Sequence, residues 1–146
     1  LCGSPGRPRS AAIAADLAAL ERSCGRAPEL PAARPYADAI AVAAATGDGA
    51  GLIAHAYVRY LGDLSGGVIL SRVLARSLGL PPEMLAFYRF PAIPDLAACK
   101  AELLAAIDEA GRTIARPERL LEEARRAFSC NIALSLEAAE HLSVPG

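Results

Sequence analysis

Apolar positions recur at three- and four-residue intervals through most of this chain, and no stretch alternates convincingly enough to read as a strand. The pattern predicts five helical stretches separated by Gly- and Pro-rich breaks. The first covers residues 11–24, with Ser10 as N-cap and Ile13, Leu17 and Leu20 on one stripe. Gly25 stops it, and Pro28, Pro31 and Pro35 fill the loop that follows. Tyr36 opens the second helix, which ends at the Gly47-Asp48-Gly49 turn. A third runs from about Ala50 through a glycine-rich bend to Ser77, with Gly79 as its C-terminal stop. Pro81 and Pro82 begin a non-helical connector through Phe90-Pro91 that carries Phe87, Tyr88 and Phe90. A fourth helix is expected over about Asp95–Ala110. The last runs from Pro117, a favoured first-turn residue, to His141. With no repeat or low-complexity array, the expected fold class is all-α, a multi-helical bundle.

Composition narrows this further. The chain of 146 residues is long enough for one domain with a substantial core. Its apolar fraction of 53% is inflated by alanine, and with no Trp a large β-sandwich core is improbable. A net charge of −1 and a pI near 6.2 give no electrostatic case for nucleic acid. Cys2, Cys24, Cys99 and Cys130 show neither CxxC nor Cys/His ligand spacing, so neither a zinc site nor a disulfide framework is indicated. Incidental thiols, the absence of a signal peptide and the absence of a membrane-length apolar run lead to a cytoplasmic expectation. The chain opens on Leu1, its only Met is Met84, and residues 1–9 (LCGSPGRPR) carry no helical period. These residues are expected to be a disordered leader or the edge of a longer protein, leaving 10–146 as the helical domain.

The stretch AHAYVRYLGDLSGG at 54–67 is the most informative part of the chain. It places Gly62, Gly66 and Gly67 around a single carboxylate, Asp63. Each glycine in a helix interior costs about 1 kcal/mol relative to alanine, so three in so short a span need a reason. One reading is a helix thinned so that its backbone lies against something flat, with an acid beside it. Two plainer readings stand next to it. Gly62 and Gly66 share a face and would admit a neighbouring helix; or the helix breaks here, with Asp63 capping a second one.

In the last helix Leu120, Ala124, Ala127, Phe128, Asn131 and Leu134 fall at helical spacings, which puts Asn131 near the apolar stripe. A buried amide must find hydrogen-bond partners, whereas an Asn at the stripe's edge would bond water or backbone.

HAYxRYLGDLSGG closely resembles the distal-helix signature of the biliverdin-forming heme oxygenases of bacterial type, and AFSCN at 127–131 resembles that family's final-helix AFxxN. The similarity runs from about Ser10 to Leu142. It implies oxidative cleavage of heme to biliverdin, carbon monoxide and free iron. Heme would be both cofactor and substrate, with O2 and electrons supplied by a flavoprotein reductase or ferredoxin. By this resemblance Asp63 is the catalytic distal acid, acting through ordered water rather than as an iron ligand. Arg59, four residues earlier and therefore on the same α-helical face, Tyr36 and Asn131 belong to the distal hydrogen-bond network. Gly62, Ser65 and Gly66 lie against the heme face, Phe128 lines the pocket, and Tyr57 and Lys100 match positions that hold the propionates. Lys100 is the single lysine of the chain.

The sequence departs from the family pattern at two places. Leu104 stands where a propionate-binding arginine is common. The segment bearing the family's axial histidine precedes everything aligned here, leaving only His55, in a structural role, and His141 as weak candidates for iron. The expectation is a heme oxygenase fold incomplete at its N-terminus. Two alternatives differ in class: a non-catalytic heme-binding or helical interaction module, and a thiaminase-like relative. The latter needs a nucleophilic Cys in a reactive setting, which no cysteine here shows.

Overall fold

A computed structural model describes residues 9–47, 49–90 and 93–142. Most of the expected leader, together with Cys2, Asp48 and Pro91, lies outside the described residues. The helices are α1 (Arg9–Cys24), α2 (Ala33–Ala45), α3 (Ala50–His55), α4 (Gly62–Leu78), α5 (Leu96–Thr113) and α6 (Pro117–Leu142). A π-helical segment, Ala56–Leu61, joins α3 to α4, and two 3₁₀ turns, Pro82–Met84 and Ala86–Tyr88, form the connector after α4. No strand occurs among the described residues, so the all-α expectation holds. Gly79 ends α4 in the left-handed region at φ +63, as its position after the last periodic residue predicts. Asp95 caps α5 by accepting the N–H groups of Ala97 and Ala98, both at 2.9 Å.

The chain divides into two compact units, Leu1–Ala27 with Leu61–Ala106 and Pro28–Tyr60 with Ile107–Gly146. In the first, α1 packs on the two 3₁₀ turns and α4 packs on the second of them. Here the structure corrects the sequence reading. Helix α1 begins at Arg9, within the expected leader, so Ser10 sits inside its first turn rather than capping it. The expected Ile13–Leu17–Leu20 stripe is not its buried face: Leu17 is 53% exposed, while Asp16 and Ala19 are buried. The reason is a specific polar anchor. The Asp16 carboxylate accepts the backbone N–H groups of Ala86 and Phe87, each at 2.9 Å, and these two bonds outweigh the pull of the apolar stripe. Cys99 is buried and disulfide-bonded, which the dispersed cysteine spacing did not predict; Cys24 and Cys130 are free.

The second unit is built on α2, α3 and α6, with Tyr36, Ala39, Ala43, Ala50, Ala54, Val58 and Ala127 buried. Alanine lets helices approach closely, and each buried methyl contributes only roughly 0.8 kcal/mol, so this core relies on proximity more than bulk. Gly51 marks the closest approach. A methyl added there would lie 2.7 Å from Ala43 Cβ and 3.2 Å from Ala43 Cα. Gly51→Ala is therefore expected to destabilise the fold by about 2 kcal/mol despite its better helix propensity, read as a lower denaturation midpoint in urea. An unchanged midpoint would show that α2 and α3 can move apart freely.

Candidate functional site

The helical residues 50–78 do not break at the glycines. Leu61, the residue before α4, has α-helical dihedrals, and no side chain caps α4, so Asp63 is not a cap. What interrupts the α-helix is the π segment, whose i→i+5 bonding widens the turn. Arg59 lies inside it, four residues before Asp63.

Within the second unit three of the expected residues come together. Asn131 Nδ2 donates to Tyr36 Oη at 3.0 Å and to Ala127 O at 3.2 Å, while Arg59 Nη1 donates to Asn131 Oδ1 at 3.2 Å. The Asn131 amide thus uses both of its ends, as its place near the stripe requires. Tyr36 is buried and its ring lies against His55, with centroids 5.7 Å apart. His55 is itself buried, and its Nε2 bonds Glu123 Oε1 at 3.0 Å. Glu123 lies eight residues before Asn131 on α6, and sequence reasoning missed it; an acid two turns away on the same face was the available signal. His141 is exposed near the end of α6. Phe128 is 51% exposed on α6. Tyr57 lines an apolar cleft of about 240 Å³ with Ile53, Ala54, Ile107, Leu120 and Ala124.

Within the first unit Asp63 sits on α4 with only 12% of its side chain exposed, and its Oδ2 accepts Arg9 Nη1 at 2.5 Å. No sequence signal announced Arg9, which lies in a Gly/Pro/Arg-rich run without periodicity. Gly62 and Gly66 are exposed, and a Cβ built on either meets nothing within 4 Å, so no helix of the described residues is packed against them. Ser65 is exposed on the same helix, and Ile69, Leu70 and Val73 continue an apolar surface beyond it. Gly67 is different: a Cβ there would come within 3.1 Å of the Phe90 ring. Lys100 is half-buried on α5, and Leu104 is exposed one turn later. Among the described residues no group of three or more His, Cys, Asp or Glu is placed to hold a metal ion. No helix of the described residues is long and apolar enough to cross a membrane.

The first unit therefore presents a carboxylate beside a helix face stripped of side chains. An ionised carboxylate orders water and accepts protons; a bare backbone strip suits a flat partner. The chain is 44% identical over 94 residues to heme oxygenase 1 of Pongo abelii, covering 63% of this chain and 33% of that one. Heme oxygenase 1 of Synechocystis sp. is 37% identical over 111 residues, covering 76% and 46% respectively, and heme oxygenase of Guillardia theta is 44% identical over 87 residues, covering 59% and 37%. The chain thus spans about a third to a half of the length of these relatives. A profile of the heme oxygenase family matches residues 5–137, a span that includes the signature helix, Asp63 and Asn131, and on that match the chain belongs to the heme oxygenase family.

Proposed function

We propose that this protein cleaves heme oxidatively to biliverdin, carbon monoxide and iron, using O2 and electrons from a flavoprotein reductase or ferredoxin, in the cytoplasm. The observation that carries the reading is the open Gly62/Gly66 strip directly beside Asp63 on α4. The residues present fit a planar macrocycle: the absent Cβ atoms leave the backbone free to approach a flat face, and Ser65 offers a hydroxyl there. Heme, when bound, supplies the iron at which O2 is activated and is also the molecule that is cleaved.

The chain's own residues would bind, orient and hold water. Asp63 would hold ordered water at its carboxylate beside the open strip, keeping a proton-accepting group next to a bound flat ligand. Tyr36, Asn131 and Arg59 form a ready-made chain of donors and acceptors, suited to keeping further waters in place. Tyr57 and Lys100 would take the heme carboxylates, and Phe128, half-exposed on α6, would cover apolar macrocycle surface. His55 is committed to Glu123 and Tyr36, which supports a structural role for it.

A heme titration followed by visible absorption tests the proposal. Saturation at one equivalent, then conversion of the complex to biliverdin on adding reductant in air, is the expected result. One equivalent bound without conversion would favour a non-catalytic heme-binding module. Weak, non-stoichiometric binding without turnover would mean that this chain carries much of a heme oxygenase site but not a working one.

A further inference from the structure

Arg9, Asp16, Asp63, Gly67 and the connector 86–90 form one interlocked assembly in the first unit. Arg9 and Asp16 are seven residues apart on α1, two turns along one face, and both reach the peptide groups of Phe87. Asp16 Oδ2 accepts the Phe87 N–H at 2.9 Å, and Arg9 Nη2 donates to the Phe87 carbonyl at 3.2 Å. The remaining arm of the Arg9 fork, Nη1, bonds Asp63. Its guanidinium carbon lies 3.7 Å from the Phe87 ring centroid and 4.7 Å from that of Phe90, both within cation–π range. Phe90 adopts φ +44, a costly conformation for a residue with a Cβ, and its ring rests on Gly67, four residues after Asp63 on α4. The connector is thus held between the 9/16 face of α1 and the 63/67 face of α4. Arg9 is the group that links it to the acid.

The geometry points to Arg9 as a positioning residue for the Asp63 carboxylate, fixing its orientation through Oδ2 at the end of the guanidinium fork. This rests on the reading of Asp63 given above. A flexible surface ion pair would not do this, because exposed pairs exchange partners and are screened. Here both side chains are mostly buried, at 22% and 12% exposure, and the planar cation is fixed by two rings and a carbonyl. Lysine would keep the charge but lose the fork and the stacking.

Arg9→Gln, Arg9→Lys and Asp63→Asn test the assignment. In the heme-free protein, the Asp63 carboxyl ¹³C resonance should move in Arg9→Gln and stay closer to its original position in Arg9→Lys. Denaturant unfolding of Arg9→Gln, Asp63→Asn and the double variant should show coupling of about fivefold in the folding constant. In turnover, Arg9→Gln should lower kcat about tenfold with heme affinity little changed, and Arg9→Lys should recover part of that loss. Additive losses with an unmoved carboxyl resonance would overturn the assignment, as would parallel loss of heme affinity and kcat. Unchanged turnover in Asp63→Ala removes the reading of Asp63 and the role of Arg9 with it. An inactive Asp63→Ala beside a fully active Arg9→Gln overturns the Arg9 role alone.

Discussion

Asp63→Ala is expected to lower biliverdin formation about a hundredfold while leaving heme affinity within a small factor of wild type, as loss of a group acting on proton and water placement does. A hundredfold corresponds to about 3 kcal/mol of barrier. The split between turnover and binding follows from position. Asp63 lies beside the Gly62/Gly66 strip rather than within it, so the surface offered to a flat ligand survives its removal. Alanine also deprives Arg9 of its carboxylate partner in a mostly buried setting, which costs stability. Asp63→Asn keeps an acceptor for Arg9 and separates the two effects: it should fold better than Asp63→Ala yet remain impaired in turnover. The measurement is single-turnover loss of the heme absorption band with parallel appearance of biliverdin. Wild-type rates in Asp63→Ala would remove the central functional assignment.

Gly66→Leu is expected to produce two effects of opposite sign. A Cβ at position 66 meets nothing within 4 Å, and replacing a helix-interior glycine with leucine gains up to about 1 kcal/mol in propensity, so the heme-free protein should melt several degrees higher. The same side chain would stand where a flat ligand needs to rest. Heme affinity should fall at least about tenfold, or about 1.4 kcal/mol. A thermal melt and a heme titration on one preparation check both. Undiminished affinity would mean that heme does not lie on this face of α4. At Gly67, by contrast, an added Cβ meets the Phe90 ring, so that glycine serves packing within the protein.

The helices were legible from the sequence because their causes are local. The break at Gly25, the Gly79 stop and Pro117 at the start of α6 act over a few residues, and each appears where the pattern placed it. The helical spacing that puts Asn131 near the apolar stripe is local in the same way, and Asn131 bonds the Tyr36 hydroxyl and the Arg59 guanidinium. Other features depend on partners far along the chain, and only the tertiary structure decided them. Arg9 meets Asp63 across 54 residues and Asp16 meets Ala86 and Phe87 across 70 and 71; these contacts, rather than hydrophobic periodicity, orient α1. The π geometry of residues 56–61 was invisible for a related reason: apolar spacing reports an average period, and a single widened turn barely alters it. The sequence by itself determined the order and approximate extent of the helices and singled out the candidate residues, because propensity, capping and residue type act locally. Which acid is clamped, which face is buried and which glycines stay open were decided by long-range packing and hydrogen bonding.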